Sequence, residues 1–290
     1  MATYRVTHTT EYRYESEVSS SYGEVHLLPR ELPRQQCLSR SLTVDPAPHD
    51  LRQREDYFGN RAAFFSIAAP HLQLSLTATS VVAVQPSTGD NSLFGDVAWE
   101  AVREAVGEEA ETVDFALDSP LVAAGARLEA FAAPLFPPGR PVLEAVAELS
   151  HTIHDTFEYD PGATTVTTTL DEVLDRRAGV CQDFAHLLIG SLRSLGLAAR
   201  YVSGYLETVA PPGKEKLVGA DRSHAWVSVW VPEAGWVDID PTNDRFVGDR
   251  YVTTGWGRDY RDVPPVKGVI FTAGQDHELH VAVDVERVAD

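Results

Sequence analysis

The chain has 290 residues, of which 43% are hydrophobic and 23% charged, and it carries a formal net charge of −19. This composition is ordinary for a globular protein of one large domain or two modest ones. A strongly acidic surface repels nucleic acids and anionic membranes, and no Lys/Arg-rich run provides a basic footprint, so we expect neither as a partner.

The chain contains no apolar run that approaches the roughly 20 residues of a membrane span. Its first residues, "MATYRVTHTTEYRY", lack the pattern of a secretory signal. The only two cysteines, Cys37 and Cys181, are too few for a disulfide framework or a cysteine-rich zinc site. We therefore expect a cytoplasmic protein with free thiols and no cofactor.

Hydrophobic residues alternate along the first part of the chain. In "YRVTHTTEYRYES" the even positions from Tyr4 to Tyr14 are largely apolar, and in "LQLSLTATSVVAV" the even positions from Leu72 to Val84 form one face. Alternation with period two is typical of half-buried strands. It predicts an antiparallel, sandwich-like β domain over residues 1–85.

The composition changes at "VQPSTGDNSLFGD", where turn-forming residues replace the alternation. The segments that follow have helical spacing, and they predict a helical connector over residues 86–140. From residue 141 the pattern is helix, loop, helix and then several strands, which we interpret as a second domain over 141–290. The predicted fold class is α+β.

Cys181 directly precedes the helical pattern "CQDFAHLLIGSLRSL". A lone cysteine is most often a small buried apolar residue. At the start of a helix, however, the partial positive charge of the helix end favours a thiolate, and the free backbone N–H groups can stabilise an oxyanion. The position thus indicates a candidate nucleophile.

A nucleophilic thiol needs a base, and the base needs a group that orients it. The segments "HAWVSVWV" and "WVDID" form a predicted hairpin that carries His224 on one strand and Asp238 and Asp240 on the other. A four-residue turn at 232–235 would set Asp240 opposite Val227, so a bulge or a diagonal contact would be needed to bring Asp240 to His224. We therefore predict irregular pairing in this hairpin.

The motifs "GVCQDFAHL", "HAWVSVWV" and "WVDIDPTND" together resemble the transglutaminase-like superfamily, in its bacterial branch of candidate cysteine proteases. The segments "HTTEYRY", "LLPR" and "DYFGN" resemble the β domain that often precedes this core in bacteria. The resemblance implies a papain-like core whose cysteine-bearing helix packs on an antiparallel sheet. It also implies Cys181 as the nucleophile, His224 as the general base and acid, and Asp240 as the orienting carboxylate, with Asp238 as the alternative.

The activity implied by this resemblance is acyl transfer from a peptide or isopeptide amide through a thioester on Cys181. Water or an amine can resolve the thioester, and we favour hydrolysis because water is far more concentrated than any amine. A peptide or protein is the expected substrate. The alternative is a non-catalytic binding module with the same fold, against which the intact Cys-His-Asp set argues. Neither the oligomeric state nor the role of the β domain is predicted.

Several further residues have a functional and a structural interpretation. Tyr159 is a candidate oxyanion donor by the resemblance, although an aromatic residue at a helix exit is the simpler interpretation. Gln182 and Asp183 follow the thiol, and Asp183 is expected mainly to accept backbone N–H bonds at the helix start. Tyr205 and Trp226 are candidates for a substrate cleft or, alternatively, for the core.

A metallohydrolase is the third class that we considered. His151 and His154 lie three residues apart, as do Asp183 and His186, but neither pair matches the His-Glu-x-x-His pattern of zinc hydrolases. We therefore expect hydrogen-bonded histidines and no metal.

Overall fold

The computed structural model describes residues 1–86, 97–208, 222–274 and 276–288. It is an α+β structure in which an antiparallel N-terminal sheet packs on a core of helices and a second antiparallel sheet. The strands of the N-terminal sheet are β1 (Ala2–Val25), β2 (Gln35–Asp45), β3 (Asp50–Glu55), β4 (Arg61–Ile67), β5 (His71–Val84), β13 (Val266–Thr272) and β14 (His277–Val288).

Strand β1 organises the N-terminal sheet because its 24 residues have partners along both edges. The first half of β1 lies between β5 and β14, and the second half lies between β4 and β13. The even residues Tyr4, Val6 and His8 are buried, as the alternation predicts. The prediction from the alternation is wrong at Leu72, whose side chain is exposed.

Strands β13 and β14 differ from the domain assignment made from the sequence, which placed residues 141–290 in the second domain. Both strands pair with β1, so the C-terminal residues complete the N-terminal sheet. An alternating strand exposes the same hydrogen-bonding groups to any neighbour, and its pattern therefore does not specify its partner.

The second sheet has the order β11-β10-β9-β8-β12. Its strands are β8 (Ala199–Leu206), β9 (Ser223–Val231), β10 (Gly235–Asp240), β11 (Arg245–Phe246) and β12 (Tyr251–Gly257). A short parallel pair, β6 (Glu158–Tyr159) and β7 (Ala178–Gly179), lies outside both sheets.

The six α-helices in the described residues contribute to one apolar core. They are α1 (Trp99–Ala105), α2 (Ala110–Ala116), α3 (Ala126–Ala132), α4 (Val142–Thr156), α5 (Leu170–Arg176) and α6 (Cys181–Ser194). Helix α6 is buried on all sides from Asp183 to Arg193, because α3, α4 and α5 pack around it and β8 and β9 cover it. None of these helices is long and apolar enough to cross a membrane.

The predicted connector therefore belongs structurally to the core. Val102 of α1, Phe115 of α2 and Leu128 of α3 are buried in the same cluster as α4 and α6. Residues 87–96, at the start of the predicted connector, lie outside the described residues.

The two sheets meet through a buried apolar cluster that includes Tyr4, Val6 and Tyr205. Directional hydrogen bonds also join the two sheets. The Tyr205 hydroxyl lies 3.1 Å from Nδ1 of His8, and the Gln35 side chain bonds both the N–H and the carbonyl of Thr253, at 2.8 Å each. The N-terminal sheet thus covers one end of the core sheet and fixes which of its side chains are buried.

Candidate active site

The β9–β10 hairpin sets the positions of His224 and Asp240. Its turn has three residues, 232–234, with Glu233 at φ 64° and Gly235 at φ 72°. Gly235 pairs with Val231 and Ile239 with Val227, so the register is regular up to the last pair. The predicted irregular pairing is therefore wrong: with one turn residue fewer than predicted, Asp240 continues onto the same face of the sheet as His224.

His224 and Asp240 form a direct hydrogen bond, with Nε2 of the imidazole 2.7 Å from Oδ2 of the carboxylate. The Cys181 thiol lies close enough to the ring to raise the pKa of His224. Because Nε2 is bonded to Asp240, Nδ1 is the nitrogen left for the thiol. The structure thus brings together the three residues that the sequence analysis selected.

The electrostatics of His224 follow from this arrangement. Burial of the ring lowers its pKa, but hydrogen bonds to Asp240 and Cys181, and their negative charges, outweigh burial and raise the pKa to about 10. A histidine with this pKa is an imidazolium at neutral pH, which is the natural counterion of a thiolate.

Asp240 is fully buried, with 0% of its surface exposed, and five groups donate hydrogen bonds to it. Oδ2 accepts from the hydroxyl of Tyr251 and from Nδ2 of Asn243, both at 2.7 Å, in addition to His224. Oδ1 accepts from the backbone N–H of Thr242 at 2.9 Å and of Asn243 at 3.3 Å. Burial would raise the pKa of Asp240, but the hydrogen bonds and the charge of His224 lower it, so the carboxylate stays ionised.

Asn243 and Tyr251 are the residues that the sequence analysis missed. Asn243 follows Asp240 by three residues in "DPTND", and an Asp-Pro turn of this kind is a local signal that the side chains fold back on one another. Tyr251 lies on the non-adjacent strand β12, and nothing in the local sequence identifies it. Asp238, the alternative orienting residue, acts electrostatically on Arg200.

The end of helix α4 supports the segment that follows Asp240. Nδ1 of His151 lies 2.8 Å from Oδ2 of Asp244, and Nδ1 of His154 lies 2.9 Å from the carbonyl oxygen of Thr242. These are the histidines considered above as metal ligands, and they are hydrogen-bonded side chains. Among the residues that the structure describes, no group of three or more metal-ligating side chains is placed to bind an ion.

The start of helix α6 positions Cys181. Oδ2 of Asp183 accepts the backbone N–H of Val180 at 2.8 Å and the hydroxyl of Thr164 at 2.6 Å, so Asp183 caps the helix as the structural interpretation expects. Gly179 is required by this contact, because an added Cβ would lie 2.8 Å from Oδ2 of Asp183. Gln182, half-buried, occupies the second helical position.

Tyr159 lies beside the thiol. The β6–β7 pair sets Tyr159 opposite Gly179, two residues before Cys181. The ring packs edge-on against Phe184 and stays 50% exposed, and burial together with the nearby charge of Cys181 raises its pKa. Tyr159 is thus a neutral hydroxyl at the rim of the site.

Two predicted cleft residues are part of the core instead. Tyr205 is only 2% exposed because the N-terminal sheet covers it. Trp226 is 0% exposed and packs edge-on against Tyr251, with ring centroids 5.3 Å apart. Its close neighbour is Gly204, where an added Cβ would lie 2.6 Å from Cη2 of Trp226. The ring of Trp226 lies on the buried side of His224, with ring centroids 6.2 Å apart. The assignment of Tyr205 and Trp226 to a substrate cleft is therefore wrong.

Models of known families match two parts of the chain. Residues 4–83 match the bacterial transglutaminase-like N-terminal region, and residues 129–241 match the transglutaminase-like superfamily. The second match contains Cys181, His224 and Asp240. This chain belongs to the transglutaminase-like superfamily.

Similar proteins support this assignment. An uncharacterised protein of Mycobacterium tuberculosis is 45% identical over 288 residues, which cover 97% of this chain and 92% of the relative. A protein-glutamine gamma-glutamyltransferase of Pseudomonas aeruginosa is 39% identical over 92 residues, 31% of this chain and 14% of the relative. A crystal structure of a candidate cysteine protease from Cytophaga hutchinsonii has the same fold, with a TM-score of 0.80, 20% identity, and coverage of 100% of this chain and 91% of its own.

Membership in the superfamily supports cysteine-based acyl transfer in general. One relative is named for glutamyl transfer and one structure of the same fold is described as a candidate protease, so neither likeness distinguishes the two outcomes.

Proposed function

We propose that this protein is a cysteine-dependent amidase or protease that hydrolyses peptide or isopeptide bonds through a thioester on Cys181. The observation that carries the proposal is the 2.7 Å hydrogen bond from His224 to the buried carboxylate of Asp240, with the thiol as the second partner of the same imidazole. A structural cysteine needs no such arrangement. The fully retained set also argues against the alternative of a non-catalytic binding module.

Acylation begins with attack of the Cys181 thiolate on the amide carbonyl carbon, which forms a carbon–sulfur bond and a tetrahedral oxyanion. Cys181 begins α6, so the free backbone N–H groups of the first helical turn lie at the thiol and supply the electrostatic stabilisation for this charge. The hydroxyl of Tyr159 is a candidate additional donor. Collapse of the intermediate breaks the carbon–nitrogen bond, and Nδ1 of His224 gives its proton to the departing amine.

Deacylation returns the enzyme to its starting state. Neutral His224 accepts a proton from water as the water oxygen attacks the thioester, and the thiolate leaves and regains its imidazolium counterion. Asp240 stays ionised throughout and holds the ring with Nδ1 toward the sulfur. An amine could take the place of water with the same proton transfers, and we favour water for its concentration.

An activated peptidyl ester tests the chemistry without knowledge of the natural substrate. We expect an N-acylated phenylalanine 4-nitrophenyl ester to give a burst of nitrophenolate, and intact-protein mass spectrometry to show one acyl group located on Cys181. The Cys37→Ala variant should behave like wild type. Absence of the adduct in wild type, or an adduct that persists in Cys181→Ala, would contradict the proposal.

The fate of the acyl group distinguishes hydrolysis from transfer. Adding a primary amine such as monodansylcadaverine to the same reaction partitions the thioester between acid and amide products. We expect the acid to dominate, and an amide yield that exceeds the acid at low amine concentration would instead identify a transamidase.

A peptide or protein is the proposed substrate, and a cytoplasmic location, expected from the sequence, is part of the same proposal.

A further inference from the structure

A cavity lies between the two sheets, and its lining residues include Tyr251 but not Cys181, His224 or Asp240. Its volume is about 580 Å³, within the range of roughly 300–1,000 Å³ that is common for small-molecule sites. The N-terminal sheet contributes residues near Leu32 and Val84, and the core sheet contributes residues of β10 and β12. Most lining side chains are apolar, so the cavity suits a ligand with an apolar body.

Arg200 is the central cation of this cavity. Its guanidinium stacks on two indole rings, with the central carbon 4.2 Å from the centroid of Trp236 and 3.7 Å from that of Trp256. The residue is only 7% exposed, and it lines the cavity together with both tryptophans. Stacking on two rings immobilises the guanidinium, which prepares its edge to bind a planar anion.

The charge of Arg200 is incompletely compensated within the protein. Among the residues that the structure describes, its buried Nε has no hydrogen-bond partner. Burial lowers the pKa of Arg200 to about 9, because the negative charges of Asp238 and Glu111 only partly offset the loss of hydration. The positive charge of Arg30 lowers this pKa further. The guanidinium of Arg30 also stacks on Trp256, with its central carbon 3.5 Å from the ring centroid. A buried, rigid cation of this kind is a site for a carboxylate.

The acidic residues of the lining limit the charge of the ligand. Asp238 and Glu111 both line the cavity, and Glu111 accepts the indole N–H of Trp236 at 3.1 Å. A doubly charged phosphate would be repelled by two carboxylates, whereas a single carboxylate can pair with Arg200 and with Arg34, which also lines the cavity. The chemistry thus favours a monoanion.

We propose that the cavity between the sheets is a second binding site, which takes a small monocarboxylate with an apolar or aromatic body and holds its carboxylate at Arg200. Cys181 is not among the lining residues, and occupation of the cavity does not require the amide chemistry proposed above.

Calorimetric titration of the full chain with N-acetyl-L-phenylalanine tests this site, and the isosteric neutral amide is the ligand control. We expect one equivalent of the acid to bind with a Kd of about 1 mM or tighter, and the amide at least about tenfold more weakly, because it lacks the charge that pairs with Arg200. Tryptophan fluorescence provides a second readout, since Trp236 and Trp256 line the cavity.

A cavity-filling variant locates the binding. Gly248 lines the cavity, and an added Cβ there meets nothing within 4 Å, so Gly248→Leu should occupy the space without strain and weaken binding about tenfold or more. Gly125 has the same open surroundings outside the cavity lining, and Gly125→Leu is the matched control, expected to bind as wild type does. Arg200→Gln should abolish the preference for the acid over the amide, and its melting temperature shows whether it is folded.

The proposal is overturned if the acid and the amide bind equally, if neither binds at about 10 mM, or if Gly248→Leu binds like wild type. Alkylation of Cys181 with iodoacetamide separates the two sites. Binding that survives alkylation supports the second site, and binding that alkylation abolishes assigns the ligand to the thiol site and refutes the proposal.

Discussion

Cys37 and Cys181 are both half-buried free thiols, yet they lie in opposite kinds of surroundings. Cys37 lies on the edge strand β2, where its thiol donates to the carbonyl of Ser39 at 3.4 Å beside a register shift. Cys181 begins the most enclosed helix of the molecule and faces the imidazolium of His224. Burial alone therefore does not distinguish a structural thiol from a reactive one, whereas the charge beside the sulfur does.

Replacing Cys181 or Cys37 by alanine should give the largest difference in kcat/KM between the two thiols. Cys181→Ala is expected to lower kcat/KM by about 10⁴-fold or more, because no other group can form the thioester, whereas Cys37→Ala should leave it unchanged. Hydrolysis of the activated ester measures both. Equal losses in the two variants would end the distinction between the thiols.

Asp240→Asn tests what orients the base at Cys181. The amide is uncharged and can donate to Nε2, so the imidazole is held in the wrong tautomer and its pKa falls from about 10. We expect kcat/KM to fall about 10²- to 10⁴-fold with the fold intact by circular dichroism. Asp238→Asn is the comparison variant for the same strand, and a larger loss there would exchange the two roles.

Alkylation at low pH should separate the two thiols by about ten- to a hundredfold. The raised pKa of His224 keeps this ring an imidazolium beside Cys181 from acidic pH up to about 10. Iodoacetamide should therefore label Cys181 faster than Cys37 at pH 6, because the imidazolium of His224 lies beside the Cys181 sulfur.

Peptide mass spectrometry measures both rates in one sample, with Cys37 as the internal reference. In His224→Ala the faster labelling of Cys181 should disappear. Identical profiles for both cysteines in wild type would return Cys181 to the class of structural thiols.

Tyr251→Phe should have the smallest effect on kcat/KM, and it tests how hydrogen bonding sets the pKa of Asp240. It removes one 2.7 Å hydrogen bond to a carboxylate and is expected to lower kcat/KM only about three- to tenfold, because four other groups still donate to Asp240. Because that hydrogen bond helps to lower the pKa of Asp240, its loss should raise this pKa and move the acidic limb of the pH–rate profile to higher pH. Tyr205→Phe, whose hydroxyl bonds His8 at the sheet interface, should leave the limb in place.

The local patterns of the sequence were sufficient for much of the architecture. Alternation over the even residues of β1 identified a strand and its buried face, and the spacing of leucines after Cys181 identified α6 and the thiol at its start. These features are readable because a strand and a helix each repeat over a few residues, so the evidence is contained in one segment.

The β9–β10 hairpin shows a feature that local sequence patterns did not predict. The sequence identified His224 and Asp240 on neighbouring strands, but a turn shorter by one residue than predicted decided that Asp240 shares the face of His224. The five donors to Asp240 were predictable only in part, since Tyr251 arrives from another strand.

The sequence by itself determined the fold class and the family, and it selected Cys181, His224 and Asp240 as candidate site residues, because short motifs carry this information. Tertiary structure alone decided that β13 and β14 complete the N-terminal sheet and that this sheet buries Tyr205. It also decided that Arg200 is clamped between Trp236 and Trp256 beside a cavity. The physical reason is the same in each case: which strand edge is paired, and which side chain loses its water, depends on a partner far away in the chain.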